Sequence, residues 1–153
     1  MTDFAHLLPP SWKPQITAWL AEDTPSFDYG GYVVGEVQRT ANLLGKGNSE
    51  AVLAGVPFFT EVFNQLGCEY VLTARSSAFV INALMCLCGE GRVEWHVREG
   101  ETFQPIKHLA TVRGKARHIL LGERVALNML ARCSGIATKW DPFLWMGSRL
   151  RGF

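Results

Sequence analysis

Long hydrophobic runs, blocks of one charge and ordered cysteine pairs are all missing from this chain of 153 residues. Its longest apolar stretch, Ala78 to Cys88, is eleven residues broken by Asn82. A membrane span needs about 20. Charged residues make up 19% and the formal net charge is +1, with no lysine- or arginine-rich run. That balance excludes a general electrostatic attraction to nucleic acid or to an anionic membrane, and no nucleic-acid-binding motif is evident. The four cysteines, Cys68, Cys86, Cys88 and Cys133, are irregularly spaced. Cys86 and Cys88 form a lone CxC with no second pair and no histidine at ligand spacing, which argues against zinc. The start, MTDFAHLLPPSWK, has no basic segment leading into an apolar one, so it does not read as a secretory signal. The thiols are therefore expected to be reduced, in an intracellular protein.

Self-contained catalytic motifs are missing too. Gly30-Gly31 and Gly45-Lys46-Gly47 lack the spacing of a phosphate-cradling loop, and no nucleophile elbow is recognisable. The four histidines are scattered and read as surface or satisfied core residues rather than ligands. Asp28 and Glu36 read as exposed loop acids.

What remains is an ordinary core-forming chain. Apolar residues are 48% of it, and its length suffices for one domain with a real core. A first helix is predicted after Ser11, with Pro14 in its first turn and Ile16, Trp19 and Leu20 on its apolar face; Asp23, Pro25 and Ser26 end it. The glycine-rich segment 27–48 offers Val33-Val34 and Leu43-Leu44 as short extended pieces. Val52-Leu53 reads as a brief strand into Gly55. Pro57 opens a second helix whose Phe58, Phe59, Val62, Phe63 and Leu66 recur at helical spacing, with Gly67 as its stop. Val93, Trp95 and Val97 alternate as a half-buried strand, Glu99 to Glu101 turn the chain, and Ile106 to Val112 form the next strand. The order predicts an α+β open-faced sandwich: a small, mostly antiparallel sheet with helices.

Residues 118–138, HILLGERVALNMLARCSGIAT, carry the most information. Leu120, Leu121, Val125, Leu127, Met129, Leu130 and Ala131 cover most of a helix circumference, and a helix apolar all round is normally buried. Arg124, Asn128 and Arg132 recur at i, i+4 and i+8 as one polar stripe along it. Guanidiniums on a buried helix require an anionic partner, because an unpaired buried charge is very costly. A protein carboxylate, a dimer contact and a bound anion all satisfy that requirement. Glu123 reads as a structural partner for a cation, Ser134 and Gly135 as close-packing positions, and Cys133 as a small buried residue rather than a nucleophile.

GERVALNMLARCSGIAT closely resembles the signature helix of the quinolinate phosphoribosyltransferase family, also called nicotinate-nucleotide pyrophosphorylase (carboxylating). Further segments in the same order are similar to the family: Leu53-Ala54-Gly55, Pro57-Phe58-Phe59 and Phe63-Asn64-Gln65-Leu66-Gly67-Cys68; Glu99-Gly100; Val112-Arg113-Gly114; and LAEDTPSFDYGG over residues 20–31. The likeness covers most of residues 5–70 and 93–139, which it implies are the family's N-terminal domain, residues 1–139. Two stretches depart from it. Residues 71–92 have no counterpart in the pattern and read as an insertion: an extra buried helix, a membrane-touching loop or a translated intron. Where the family continues into an α/β barrel, residues 140–153 read WDPFLWMGSRLRGF, too few for a full eight-stranded barrel of about 250 residues, and Asp141-Pro142 breaks a helix.

The resemblance implies a reaction joining quinolinate to 5-phosphoribosyl 1-diphosphate, which yields nicotinate mononucleotide, diphosphate and carbon dioxide for NAD synthesis. Dianionic and phosphorylated substrates call for arginine, whose fork matches carboxylate and phosphate. Departure of diphosphate calls for Mg2+. In the family the metal ligands and phosphate loops lie in the barrel, so this chain is expected to bind no cofactor itself and to be inactive alone. The family motif makes Arg124 the residue that reaches across a domain-swapped dimer interface to quinolinate, with Asn128 and Arg132 in interface or orienting roles. The partner is a second copy or a full-length homologue, and the expected location is the cytoplasm, extending to the nucleus. Two other readings stay open: a non-catalytic dimerisation or regulatory module, and a related phosphoribosyltransferase acting on nicotinate or another substrate.

Overall fold

A computed structural model of the chain describes residues 4–47, 49–67, 69–70 and 92–140. After a short turn of helix at Phe4–Leu7, the elements run α1 (Trp12–Asp23), α2 (Tyr29–Val34), β1 (Gln38–Gly45), β2 (Ala51–Val52), α3 (Val56–Gln65), β3 (Glu69–Tyr70), β4 (Arg92–Trp95), β5 (Thr102–Phe103), β6 (Lys107–Lys115) and α4 (Ala116–Trp140). The main sheet has the order β1-β6-β4-β3, and β2 pairs with β5 in a separate two-stranded ladder. All of these pairings are antiparallel except β3 with β4. Helices and a small, mostly antiparallel sheet with no closed barrel among the described residues make the architecture the α+β sandwich read from the pattern.

Alternation places the core. On β1, Ala41, Leu43 and Gly45 turn inward while Thr40, Asn42 and Leu44 stay exposed, the period of two that a one-sided sheet requires. Ile16 of α1, Leu53, Val62 of α3 and Val93 of β4 are fully buried. Phe59 lies edge-on to Trp95 at 5.1 Å between ring centroids, and Phe63 packs against Phe59 at 5.0 Å with its ring tilted by 57°. The aromatic cluster of α3 is thus core. Each side chain of this size contributes about 1.5–3 kcal/mol through burial.

The bounds of α1 and α3 follow their sequence signals. Gly67, with φ +77°, ends α3 in the left-handed conformation that glycine adopts without penalty. One extended reading needs correction. Val33-Val34 is the end of helix α2, because the Asp28 carboxylate accepts a hydrogen bond from the Gly31 amide at 2.8 Å and caps that turn. Asp28 is therefore a half-buried cap and not a free loop acid. Glu69–Tyr70 lies beside Arg92-Val93 as a parallel pair, so the two segments are neighbours across a ladder. Residues 71–91 and 141–153 lie outside the described residues, and with them the readings of an insertion and a divergent tail.

Candidate functional site

Helix α4 is buried along one face only. Gly122, Val125, Ala126 and Leu130 point inward at helical spacing, whereas Leu120, Glu123, Arg124, Leu127, Asn128, Ala131, Arg132, Gly135 and Ile136 are all exposed. The sequence suggested all-round burial because Leu120, Leu127 and Ala131 of its apolar pattern lie on this exposed face, where Ile136 joins them; Leu120, Leu127 and Ile136 are exposed by 47%, 38% and 61%. Apolar residues on an uncovered face are what a docking surface presents.

Three contacts fix α4 in place. Gly122 lets α3 approach: a Cβ there would lie 2.8 Å from Leu66, 2.9 Å from Phe63 and 3.0 Å from Val62. Gly135, by contrast, has nothing within 4 Å of such a Cβ and is not a close-packing position. Ser134 holds the segment before α3, its hydroxyl accepting from the Ala54 amide and donating to the Ala54 carbonyl, both at 3.0 Å. Thr138 accepts from the Val52 amide at 2.9 Å. The segment held this way continues into Gly55, whose φ of +97° and closeness to Cys133 admit only glycine. Burial, with the Glu99 carboxylate adding to it, pushes the Cys133 thiol up, which makes it a poor nucleophile.

On this rigid helix Arg124 is 69% exposed, and its Nε donates to Asp23 Oδ1 at 2.6 Å. Its Nη2 also donates to the Asp23 carbonyl oxygen at 3.4 Å. Asp23 is the last residue of α1, so two elements meet at this guanidinium. An ion pair this exposed contributes little stability, about 0–1 kcal/mol; what it supplies is orientation of the planar fork. Nη1 has no partner among the described residues and stays available to a carboxylate. Asn128 and Arg132 share the exposed face but make no hydrogen bond or ion pair among the described residues. Glu123, expected to pair with a cation, makes none there either.

Two functional partners were not foreseen. Asp23 sits within LAEDTPSFDYGG, but nothing local to that segment announces a contact with a residue 101 positions away. Glu99 reads locally as a turn residue, yet its carboxylate accepts from the Gly55 amide at 2.9 Å and the Val56 amide at 2.8 Å. These are orphan donors at the start of α3, and a negative charge is favoured there. Glu36, taken for a free acid, pairs with Lys115 at 2.7 Å and Arg117 at 3.5 Å. Those cations hold its carboxyl below the usual range, the hydrogen bond from Lys115 being the largest cause.

Residues 77–134 match the family described as quinolinate phosphoribosyl transferase, N-terminal domain. A nicotinate-nucleotide pyrophosphorylase [carboxylating] of Dictyostelium discoideum is 42% identical over 132 residues, spanning 81% of this chain and 36% of that protein. The protein of the same name from Homo sapiens is 41% identical over 135 residues, spanning 88% of this chain and 37% of it. The chain belongs to the quinolinate phosphoribosyltransferase family. Its part in that family is the N-terminal domain: the chain spans little more than a third of the length of these relatives. The fold agrees. NadC from Streptococcus pyogenes superposes with a TM-score of 0.66 at 26% identity, covering 86% of this chain and 41% of that one. Among the described residues of this phosphoribosyltransferase domain, no group of three or more His, Cys, Asp or Glu side chains could hold a metal ion, and no helix is long and apolar enough to cross a membrane.

Proposed function

We propose that this chain serves as the N-terminal half of a quinolinate phosphoribosyltransferase site and presents Arg124 to a barrel carried by a partner subunit. There the guanidinium clamps a carboxylate of quinolinate while the barrel holds 5-phosphoribosyl 1-diphosphate and releases diphosphate. Arginine suits this task because it stays charged and binds carboxylate through paired donors. The observation that carries the reading is the posture of Arg124. It stands exposed on a rigid helix, held through Nε by Asp23, on a face whose apolar residues lack cover. Mg2+ prefers oxygen ligands, and its natural place is in the partner barrel, where the diphosphate leaves. The expected setting is cytoplasmic, as befits a step in NAD synthesis.

A specific observation also favours an assembly role. Phe27, Tyr29, Tyr32, Val33 and Val37, at the start of and along α2 and just past it, are exposed by 60%, 73%, 77%, 82% and 55%. With the exposed face of α4 they supply apolar surface for a second copy or a full-length homologue. Mixing the purified chain with a full-length relative and measuring particle mass and quinolinate binding tests both roles. Hetero-oligomers that bind quinolinate support the substrate role. Hetero-oligomers whose quinolinate binding is unchanged by Arg124→Ala leave an assembly module and overturn the role given to Arg124.

A further inference from the structure

The open face of the main sheet carries a second polar constellation, remote from the helical layer that bears Arg124. His96 follows β4, and its amide donates to the Leu109 carbonyl of β6 at 2.8 Å. His108 and Thr111 both lie on β6, three residues apart, a spacing that ordinarily sends side chains to opposite faces. A bulge removes that conflict. Leu43 pairs with Ala110 and Leu44 with His108, so Leu109 is the extra residue, and the register shifts by one between the two pairs. Bulges of this kind re-aim side chains, and they recur beside functional sites.

The outcome is convergence. The Nε2 atoms of His96 and His108 each lie 3.1 Å from the same hydroxyl oxygen, Thr111 Oγ1. The two imidazole rings are 4.3 Å apart between centroids, tilted by 48°. Thr111 itself is 7% exposed, whereas His96 is open to solvent. With its ring proton on Nε2, His108 also donates to the Ala110 carbonyl at 3.0 Å, and the threonine hydroxyl donates on to His96. One hydroxyl thus links the two rings, its oxygen facing the His108 Nε2–H and its proton going to His96 Nε2.

We infer that His96 and His108 form a two-imidazole chelate for a borderline divalent transition ion of the nickel, copper or zinc kind. Such ions favour imidazole nitrogen and bind it at about 2.0–2.1 Å. The two Nε2 atoms converge on one hydroxyl, and once His108 carries its proton on Nδ1 their lone pairs supply adjacent coordination positions, with water completing the set beside Thr111. The ion takes both Nε2 lone pairs, so His108 gives up the Nε2–H it donates to the Ala110 carbonyl and moves its ring proton to Nδ1, where His96 also carries its own. Magnesium, which demands oxygen, is not a ligand for this site. The ion staples β4 to β6 across the bulge and stabilises the folded chain by mass action.

Titration of the untagged, full 153-residue chain with NiCl2, followed by calorimetry, tests the site. One nickel per chain is expected, with affinity at least about tenfold weaker in His96→Asn and in His108→Asn. The controls His6→Asn and His118→Asn should keep it. Thr111→Val should weaken binding by about tenfold, the usual effect of losing a group that orients a ligand. If a histidine variant fails to fold, substoichiometric Ni2+ on the unaltered chain still decides the matter. The ring signals of His96 and His108 should broaden first in the NMR spectrum. Absence of nickel binding, binding indifferent to both histidines, or broadening that begins elsewhere overturns the proposal.

Discussion

At the scale of single residues, Asp23 is what holds Arg124. The pair with Asp23 contributes too little energy to matter for folding, so its value lies in aiming a guanidinium that would otherwise sample many rotamers. Asp23→Asn, assayed in assembly with a barrel-bearing relative, should raise KM for quinolinate by about tenfold, equal to about 1.4 kcal/mol. KM for 5-phosphoribosyl 1-diphosphate should hold, as initial-rate kinetics will show. A second residue sets a pH response. Burial, then the nearby Arg117 and Lys115 cations, hold the His118 imidazole below its ordinary value, against a smaller opposing pull from Glu36. The unfolded chain therefore binds a proton that the folded chain refuses. Stability should be full above about pH 6.5 and fall as pH drops from there through the depressed value. Denaturant melts across this window should slope for the native chain and flatten in His118→Gln. Any slope from Glu36, whose carboxyl is also lowered, belongs to the acid range below its ordinary value.

At the scale of elements, glycine and glutamate do the positioning. Gly122→Ala raises helix propensity by up to about 1 kcal/mol, yet its methyl would press on Leu66, Phe63 and Val62 at 3.0 Å or less. Overpacking costs about 1–3 kcal/mol, so thermal unfolding should show net destabilisation. Glu99→Gln should cost about 1–2 kcal/mol by removing a charged acceptor from two amides of α3. Helix bounds were legible in the sequence because caps and periodicity are local: Pro14, Pro57 and Gly67 mark α1 and α3. Helix α2 was not, since it depends on one Asp28 carboxylate in a glycine-rich stretch. The Glu99 cap and the Leu109 bulge were invisible, because each is created by chain segments that meet only in the fold.

At the scale of the whole molecule, the exposed face of α4 explains the one large misreading of burial. Leu120, Leu127 and Ala131 gave that helix an all-round apolar pattern yet lie exposed, and the sequence cannot distinguish a face covered by its own domain from one awaiting another. Arg124 entered as a candidate through the family motif; its exposure and its tether to Asp23 required the fold. The most direct test of the central claim is rescue in mixed assemblies. A full-length relative whose matching arginine is replaced by alanine should make little nicotinate mononucleotide from quinolinate and 5-phosphoribosyl 1-diphosphate. Adding this chain should restore product formation, and adding its Arg124→Ala variant should not. Equal rescue by both, or no rescue when mixed oligomers have demonstrably formed, would contradict the account.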